Sequence, residues 1–230
     1  CVNLDWFEVY CLEPVLHHAD ADFFLRLGWN VDVRAYGTPQ YREMFTLLRG
    51  NDPFLEIRRN PYSVKSAGGL FPDGACHLRL VNSVLYTEDP ISDLIDFMLK
   101  YDYRYHSITR CDIAVDFNRF DNQMQPAVFV ADFFEGKFAK INQCKIAAHG
   151  CDRWDGRLWN SVSWGSPASP IRTKLYNKTL ELREHTDKPY IRNAWISAGL
   201  DLTSDIWRVE FSIKSAIKGY VSLEDGFLLK

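Results

Sequence analysis

The chain has 230 residues, 47% of them hydrophobic and 14% aromatic, enough to bury a sizeable core. A charged fraction of 25% and a net charge of -3 exclude wholesale disorder and a protein that is basic throughout. No run of about 18 apolar residues occurs, so no transmembrane helix is expected.

The basic charge is concentrated. From Lys137 to Lys178 there are eight Lys or Arg against two Asp, a local charge of +6, so the remainder carries -9. Such a segment fits one local anionic partner. Six cysteines without a C-x-x-C pair read as reduced, mostly buried thiols in a cytoplasmic protein. The chain opens on Cys1 rather than Met and is expected to be a piece of a longer protein, read over 1–230 as one domain.

In chain order, LDWFEVYC (4–11) predicts a strand. A short helix is expected around Asp20 to Leu27. YREMFTLLRG and PFLEIRRNP, separated by Gly50-Asn51-Asp52-Pro53, predict a hairpin. CHLRLVN (76–82) is a further strand. EDPISDLIDFMLKYD predicts the clearest helix, capped by Asp89 with Pro90 in its first turn. Its expected apolar stripe is Ile91, Leu94, Ile95, Met98 and Leu99. SITRCDIAVDFN (107–118) is a strand and PAVFVADFFEGKF (126–138) a second helix. KIAAH, LWNSVSW, IRTKLYN and IWRVEFSIK are strands. Short helices are expected after Lys178 and near Pro189 to Ala198. Strands with interspersed helices give an α+β class, a largely antiparallel sheet with helices packed on one face.

Three strands share one asymmetry. In TRCDIAVDF, Ile113, Val115 and Phe117 alternate with Arg110, Asp112, Ala114 and Asp116. In IWRVEFSIK, Trp207, Val209, Phe211 and Ile213 alternate with Arg208, Glu210, Ser212 and Lys214. In IRTKLYNK one face carries Arg172, Lys174, Tyr176 and Lys178. Solvated antiparallel sheets show the same alternation. Asp, however, is a poor strand former, and two within five residues need a reason.

Carboxylates on such a face suit a divalent cation, Mg²⁺ or Mn²⁺. Asp112 and Asp116 lie about 13 Å apart on a regular strand at roughly 3.3 Å per residue. One of them, together with Glu210, is therefore the expected ligand set, and the other orients a basic group or ends the strand. A phenol with a pKa near 10 becomes a nucleophile toward phosphorus when cations favour its ionised form. Tyr176 as nucleophile, Lys178 as the nearby cation, and Arg172, Lys174, Arg208 and Lys214 as phosphate contacts supply the parts for cutting a DNA strand. Arg153, Trp154 and Arg157 interleave basic and aromatic residues, a pattern that stacks on bases while cations follow the backbone.

Taken together, these segments resemble the replication initiation factor (Rep_trans) family, which comprises rolling-circle initiators and related relaxases of mobile elements. The likeness rests on Arg110, Asp112, Ala114 and Asp116; on Gly165, Ser166 and Ser169 running into Tyr176 and Lys178; and on Trp207, Arg208 and Glu210, across residues 107 to 214. The resemblance implies a sheet related to the HUH endonucleases. It implies a metal-dependent, sequence-specific nickase and strand transferase with a 5′-phosphotyrosine intermediate, acting on single-stranded or hairpin DNA at an origin, with a host helicase as a further partner. The chain departs from HUH enzymes in lacking their paired histidines. His17 and His18 are adjacent and would face opposite sides of a strand, and His77 stands alone as an extra ligand or a structural histidine. Two other readings stay open: a module that holds single-stranded DNA without cutting it, and a metal-dependent nuclease that activates water.

Overall fold

A computed structural model of the chain describes residues 1–14, 19–62, 65–66, 69–70, 73–138, 154–155, 158–184 and 187–214. The strands are β1 (Val2–Leu12), β2 (Asn30–Val33), β3 (Tyr41–Arg49), β4 (Asp52–Pro61), β5 (Lys65–Ser66), β6 (Gly69–Leu70), β7 (Ala75–Leu80), β8 (Arg104–Phe117), β9 (Trp154–Asp155), β10 (Leu158–Trp159), β11 (Ser161–Trp164), β12 (Ile171–Asn177) and β13 (Trp207–Lys214). The helices are α1 (Ala21–Arg26), α2 (Pro90–Lys100), α3 (Pro126–Phe134), α4 (Lys178–Glu184) and α5 (Pro189–Ser197). The class is α+β, and strand pairing is antiparallel in β1–β7, β2–β3–β4–β7 and β11–β12–β13. The expected strands and helices are present wherever the chain is described; KIAAH lies outside the described residues. Among the described residues no helix is long and apolar enough to cross a membrane.

The chain packs as two compact units. One holds Cys1–Leu4 and Asp112–Lys214; the described part of the other runs from Asp5 to Cys111. The long strands β1 and β8 contribute residues to both.

In the Asp5–Cys111 unit the strand order is β1-β7-β4-β3-β2. Alternation decides the faces. Phe7, Val9 and Cys11 of β1 are fully buried, as are Cys76, Leu78 and Leu80 of β7 and Leu55 and Ile57 of β4. Gly50, at φ 64, occupies the left-handed region in the β3–β4 turn, where a side chain would be strained. Asp20 caps α1, accepting from the Phe23 N–H at 2.8 Å, and Asp89 caps α2, accepting from the Ser92 N–H at 3.2 Å. Both helices add rings to one cluster. Phe24 stacks on Phe97 with centroids 5.8 Å apart, and Trp29 on Phe54 at 5.9 Å.

That cluster corrects the expected α2 stripe. Leu94, Phe97 and Met98 are buried, whereas Ile95 is 39% and Leu99 75% exposed. The helix is rotated to feed Phe97 to the rings of Phe24, Phe54 and Tyr101, because a large aromatic gains more by burial than a leucine on the flank of the stripe.

In the unit of Asp112–Lys214, β11, β12 and β13 follow one another as neighbours and β8 lies beside β13. Val162, Leu175 and Trp207 bury their side chains against Val130 of α3, with Phe117, Phe133, Trp164 and Val209 at the margin. This apolar face of β11–β13 leaves the alternate residues on the other face, and those residues form the site.

Candidate functional site

Register places the polar residues side by side. Tyr176 is directly opposite Arg208, Lys174 opposite Glu210, and Arg172 opposite Ser212. On the other flank Ser161 faces Tyr176 and Ser163 faces Lys174. Opposed residues share a face, so Arg172, Lys174, Tyr176, Arg208, Glu210, Ser161 and Ser163 stand on one surface.

Tyr176 sits at the centre. Its hydroxyl donates to Glu210 Oε2 at 3.0 Å, reaching diagonally from the cross-strand position. The same oxygen accepts from Lys178 Nζ at 3.4 Å. Lys174 Nζ lies 4.6 Å from the ring centroid and Lys178 Nζ 5.4 Å. The side chain is 7% exposed. A phenol oxygen in contact with an ammonium on one side and a carboxylate on the other is polarised toward its ionised form by the first and has a place to send its proton in the second.

Lys178 reaches that oxygen by a route other than the expected one. It does not extend the strand. β12 ends at Asn177, whose Oδ1 accepts from the Leu180 N–H at 2.9 Å and so caps α4, of which Lys178 is the first residue. The N–H groups of Lys178 and Thr179 both donate to the Ile206 carbonyl, and Ile206 N donates back to Thr179 Oγ1. The Lys178 side chain is 2% exposed and its ammonium pairs with Glu181 one turn along the helix. The sequence reading missed Glu181, although the spacing of three in K-x-x-E was the signal for it.

Asp116 takes the second of the roles expected for the two aspartates, orienting a basic group, and that group is Arg208, which was expected to contact phosphate. Asp116 and Arg208 are both fully buried. Arg208 Nε donates to Asp116 Oδ1 at 2.6 Å and Nη2 to Oδ2 at 2.7 Å, a two-pronged ion pair. Trp195 of α5 adds Nε1 to Oδ2 at 2.7 Å. Both carboxylate oxygens are engaged, and the guanidinium has no access to solvent. Neither a metal nor a DNA phosphate can reach this pair without breaking it, so we assign it to holding β8, β13 and α5 together.

The remaining expected residues are distributed as follows. Asp112 is 2% exposed. Arg172 places Nη2 3.5 Å from Ser163 Oγ, and its Nε is buried without a hydrogen-bond partner. Lys214 donates to the Pro167 carbonyl at 2.5 Å. That carbonyl belongs to the G-S-x-x-S turn, in which Ser166 N donates to Ser169 Oγ at 2.9 Å. Gly165 opens the turn at φ 87, and a Cβ there would lie 2.8 Å from the Ile171 carbonyl oxygen, so glycine is required by both conformation and space. In the other unit His77 Nδ1 lies 3.4 Å from Glu8 Oε1, and burial lowers the imidazole pKa. Arg110 stacks over Trp6 at 4.2 Å, with Arg79 on the indole at 3.6 Å. Arg153, Arg157, His17 and His18 lie outside the described residues, as does the side chain of Trp154.

Asp116 is occupied by Arg208, and among the described residues no three His, Cys, Asp or Glu side chains gather closely enough to hold a metal.

No family model matches the chain, and no curated protein matches it. Among solved structures it is similar to a rolling circle replication initiator protein from Geobacillus stearothermophilus, with 17% sequence identity and a TM-score of 0.46, over 93% of this chain and 74% of that one.

Proposed function

We propose that this protein cuts and rejoins a single DNA strand, with Tyr176 as the nucleophile. The observation that carries the proposal is the Tyr176 hydroxyl held between Glu210 and Lys178 on a sheet face with Lys174 and Arg172 beside it. A core tyrosine needs one hydrogen-bond partner; this one has a carboxylate, an ammonium in contact and a second ammonium over its ring. In the proposed reaction Lys174 and Arg172 bind phosphate oxygens, Lys178 offsets charge at the phenol oxygen, and Tyr176 becomes joined to a 5′-phosphate while a 3′-hydroxyl is released. The biological setting proposed is initiation of rolling-circle replication or strand transfer by a mobile element, at a specific origin sequence, with a host helicase acting downstream. Mg²⁺ or Mn²⁺ enters this proposal only as an ion carried by the DNA phosphates and met by Asp112 or Glu210, since Mg²⁺ commonly takes one or two carboxylates and completes its shell with phosphates and water.

A denaturing gel tests the reading. Wild-type protein incubated with single-stranded DNA of randomised sequence and Mn²⁺ is expected to give a protein band carrying 3′-end label, and Tyr176→Phe is expected to give none. The 7% exposure of Tyr176 favours a second reading, a module that binds single-stranded DNA without cutting it. That module would retain the DNA on a native gel and form no labelled band under denaturing conditions.

A further inference from the structure

We infer that the polar face of the Asp5–Cys111 unit holds a second contact for single-stranded DNA, where unpaired bases stack on Trp6 and Tyr10 and the guanidiniums of Arg79 and Arg110 meet phosphate. The choice of ligand rests on the reading above that the chain acts on single-stranded DNA. The site lies within one unit and shares no residue with the face around Tyr176.

Register assembles it. Trp6, Glu8 and Tyr10 alternate along β1 with the fully buried Phe7 and Val9, and so stand on the polar face. On β7, Arg79 is opposite Glu8 and His77 opposite Tyr10; on β4, Glu56 is opposite Arg79. The Arg79 guanidinium lies 3.6 Å from the Trp6 ring centroid, and that of Arg110 lies 4.2 Å from it. Tyr10, about 13 Å further along β1 at roughly 3.3 Å per residue, meets the exposed His106 edge-on, with centroids 5.0 Å apart. Trp6, Tyr10, Arg79 and Arg110 are half-buried, so each keeps part of its surface in solvent.

Charge on this face is layered. The charged groups around Arg79 are Glu56, Arg58, Glu8 and Arg110, which with Arg79 itself sum to +1. Glu8 accepts from Thr109 Oγ1 at 2.9 Å and from Arg58 Nη1 at 3.0 Å, and Glu56 accepts from Arg58 Nε at 2.8 Å. Both carboxylates are buried, whereas Arg58 and Arg79 reach solvent. The acids therefore lie beneath, and the guanidiniums carry the outward charge. The indole is placed for its ring. A buried tryptophan N–H ordinarily finds an acceptor, and among the described residues Trp6 Nε1 has none. A ring that served only to fill the core would stand with Phe7 and Val9; Trp6 stands on the other side, among cations. Half-exposed rings beside outward guanidiniums fit a strand of unpaired bases, which uses both: the bases stack on planar groups and the phosphates take the charge. An acidic peptide would use the charge and leave the rings idle.

The test is fluorescence anisotropy of the full chain with labelled oligo(dT) and with an abasic strand of the same length. Trp6→Leu is expected to weaken oligo(dT) binding by about 5- to 150-fold, the range for one lost base stack, and abasic-strand binding by less than about twofold. Trp6→Leu/Tyr10→Leu is expected to lose more on oligo(dT) than either single variant. Arg110→Gln is expected to weaken binding of both strands and to lower the slope of log affinity against log salt by about 0.7. The inference is overturned if Trp6→Leu binds oligo(dT) as wild type does, or loses as much on the abasic strand as on oligo(dT). Wild type supplies a check that no substitution can confound. Irradiated with an oligonucleotide that carries iododeoxyuridine, it is expected to crosslink through the peptide containing Trp6; crosslinks confined to peptides of 112–214 overturn the inference. The two readings fail separately. A Tyr176 adduct without Trp6-dependent binding removes this site alone, and Trp6-dependent binding without any adduct removes the cutting and leaves this site standing.

Discussion

Arg208 and Asp116 are joined by two charge-assisted hydrogen bonds of 2.6 and 2.7 Å with neither side chain exposed to solvent. A buried pair of this kind is costly to break and less costly to replace as a whole. Arg208→Met, which leaves the Asp116 charge buried without its guanidinium, is expected to lower unfolding stability by about 3–5 kcal/mol in urea titration. The double variant Asp116→Leu/Arg208→Met is expected to lose less than the two single losses added together. Additive losses would show that the pair is not the unit the geometry makes it.

The rotation of α2 gives a second expectation. Phe97 is 4% exposed within the ring cluster, and Leu99 is 75% exposed. Phe97→Ala should cost about 3–5 kcal/mol, whereas Leu99→Ala should stay within about 0.5 kcal/mol. Equal effects in urea melts would restore the stripe read from periodicity.

Acid sensitivity should trace in part to His77. Burial lowers its pKa, Arg58 of β4 lowers it further, and Glu8 of β1 opposes both; Tyr10 and Tyr41 pack on the ring. A base whose pKa is depressed in the folded state binds fewer protons folded than unfolded. Its contribution is therefore complete above the ordinary value of about 6.5 and is lost as pH falls through that value toward the folded pKa. The urea midpoint of wild type should fall on going from about pH 7.5 to about pH 5.5, and His77→Gln should flatten that fall. An identical slope in the variant would remove His77 from the account.

For DNA binding, Lys174 and Arg172 are partly exposed cations of the site face. Each alanine variant should weaken binding to single-stranded DNA of randomised sequence and reduce the slope of log affinity against log salt by about 0.7. An unchanged salt slope by fluorescence anisotropy would mean that these side chains do not meet phosphate.

Much of this was legible in the sequence because it is local. Period-two alternation sorted Tyr176, Lys174, Arg208 and Glu210 from Leu175, Trp207 and Val209, and Asp89 with Pro90 marked the start of α2. What alternation cannot supply is which residue meets which across the sheet, or what covers it. Asp112 and Asp116 had equal standing beside Glu210, and the pairing with Arg208 together with the approach of Trp195, 79 residues along the chain from Asp116, singles out Asp116. Lys178 was named as the cation beside Tyr176 on the assumption of a continuing strand. Asn177 caps a helix there instead, and the lysine returns to the same oxygen from the first turn of α4. β2, with only Val31 and Val33 among polar neighbours, gave too short a pattern to read.

The most direct measurement of the central claim is peptide mapping by mass spectrometry after incubation with single-stranded DNA and nuclease trimming. The account predicts a nucleotide joined through phosphate to the peptide that contains Tyr176, and to no other. A nucleotide found on a different residue, or DNA cut with every tyrosine unmodified, would contradict it.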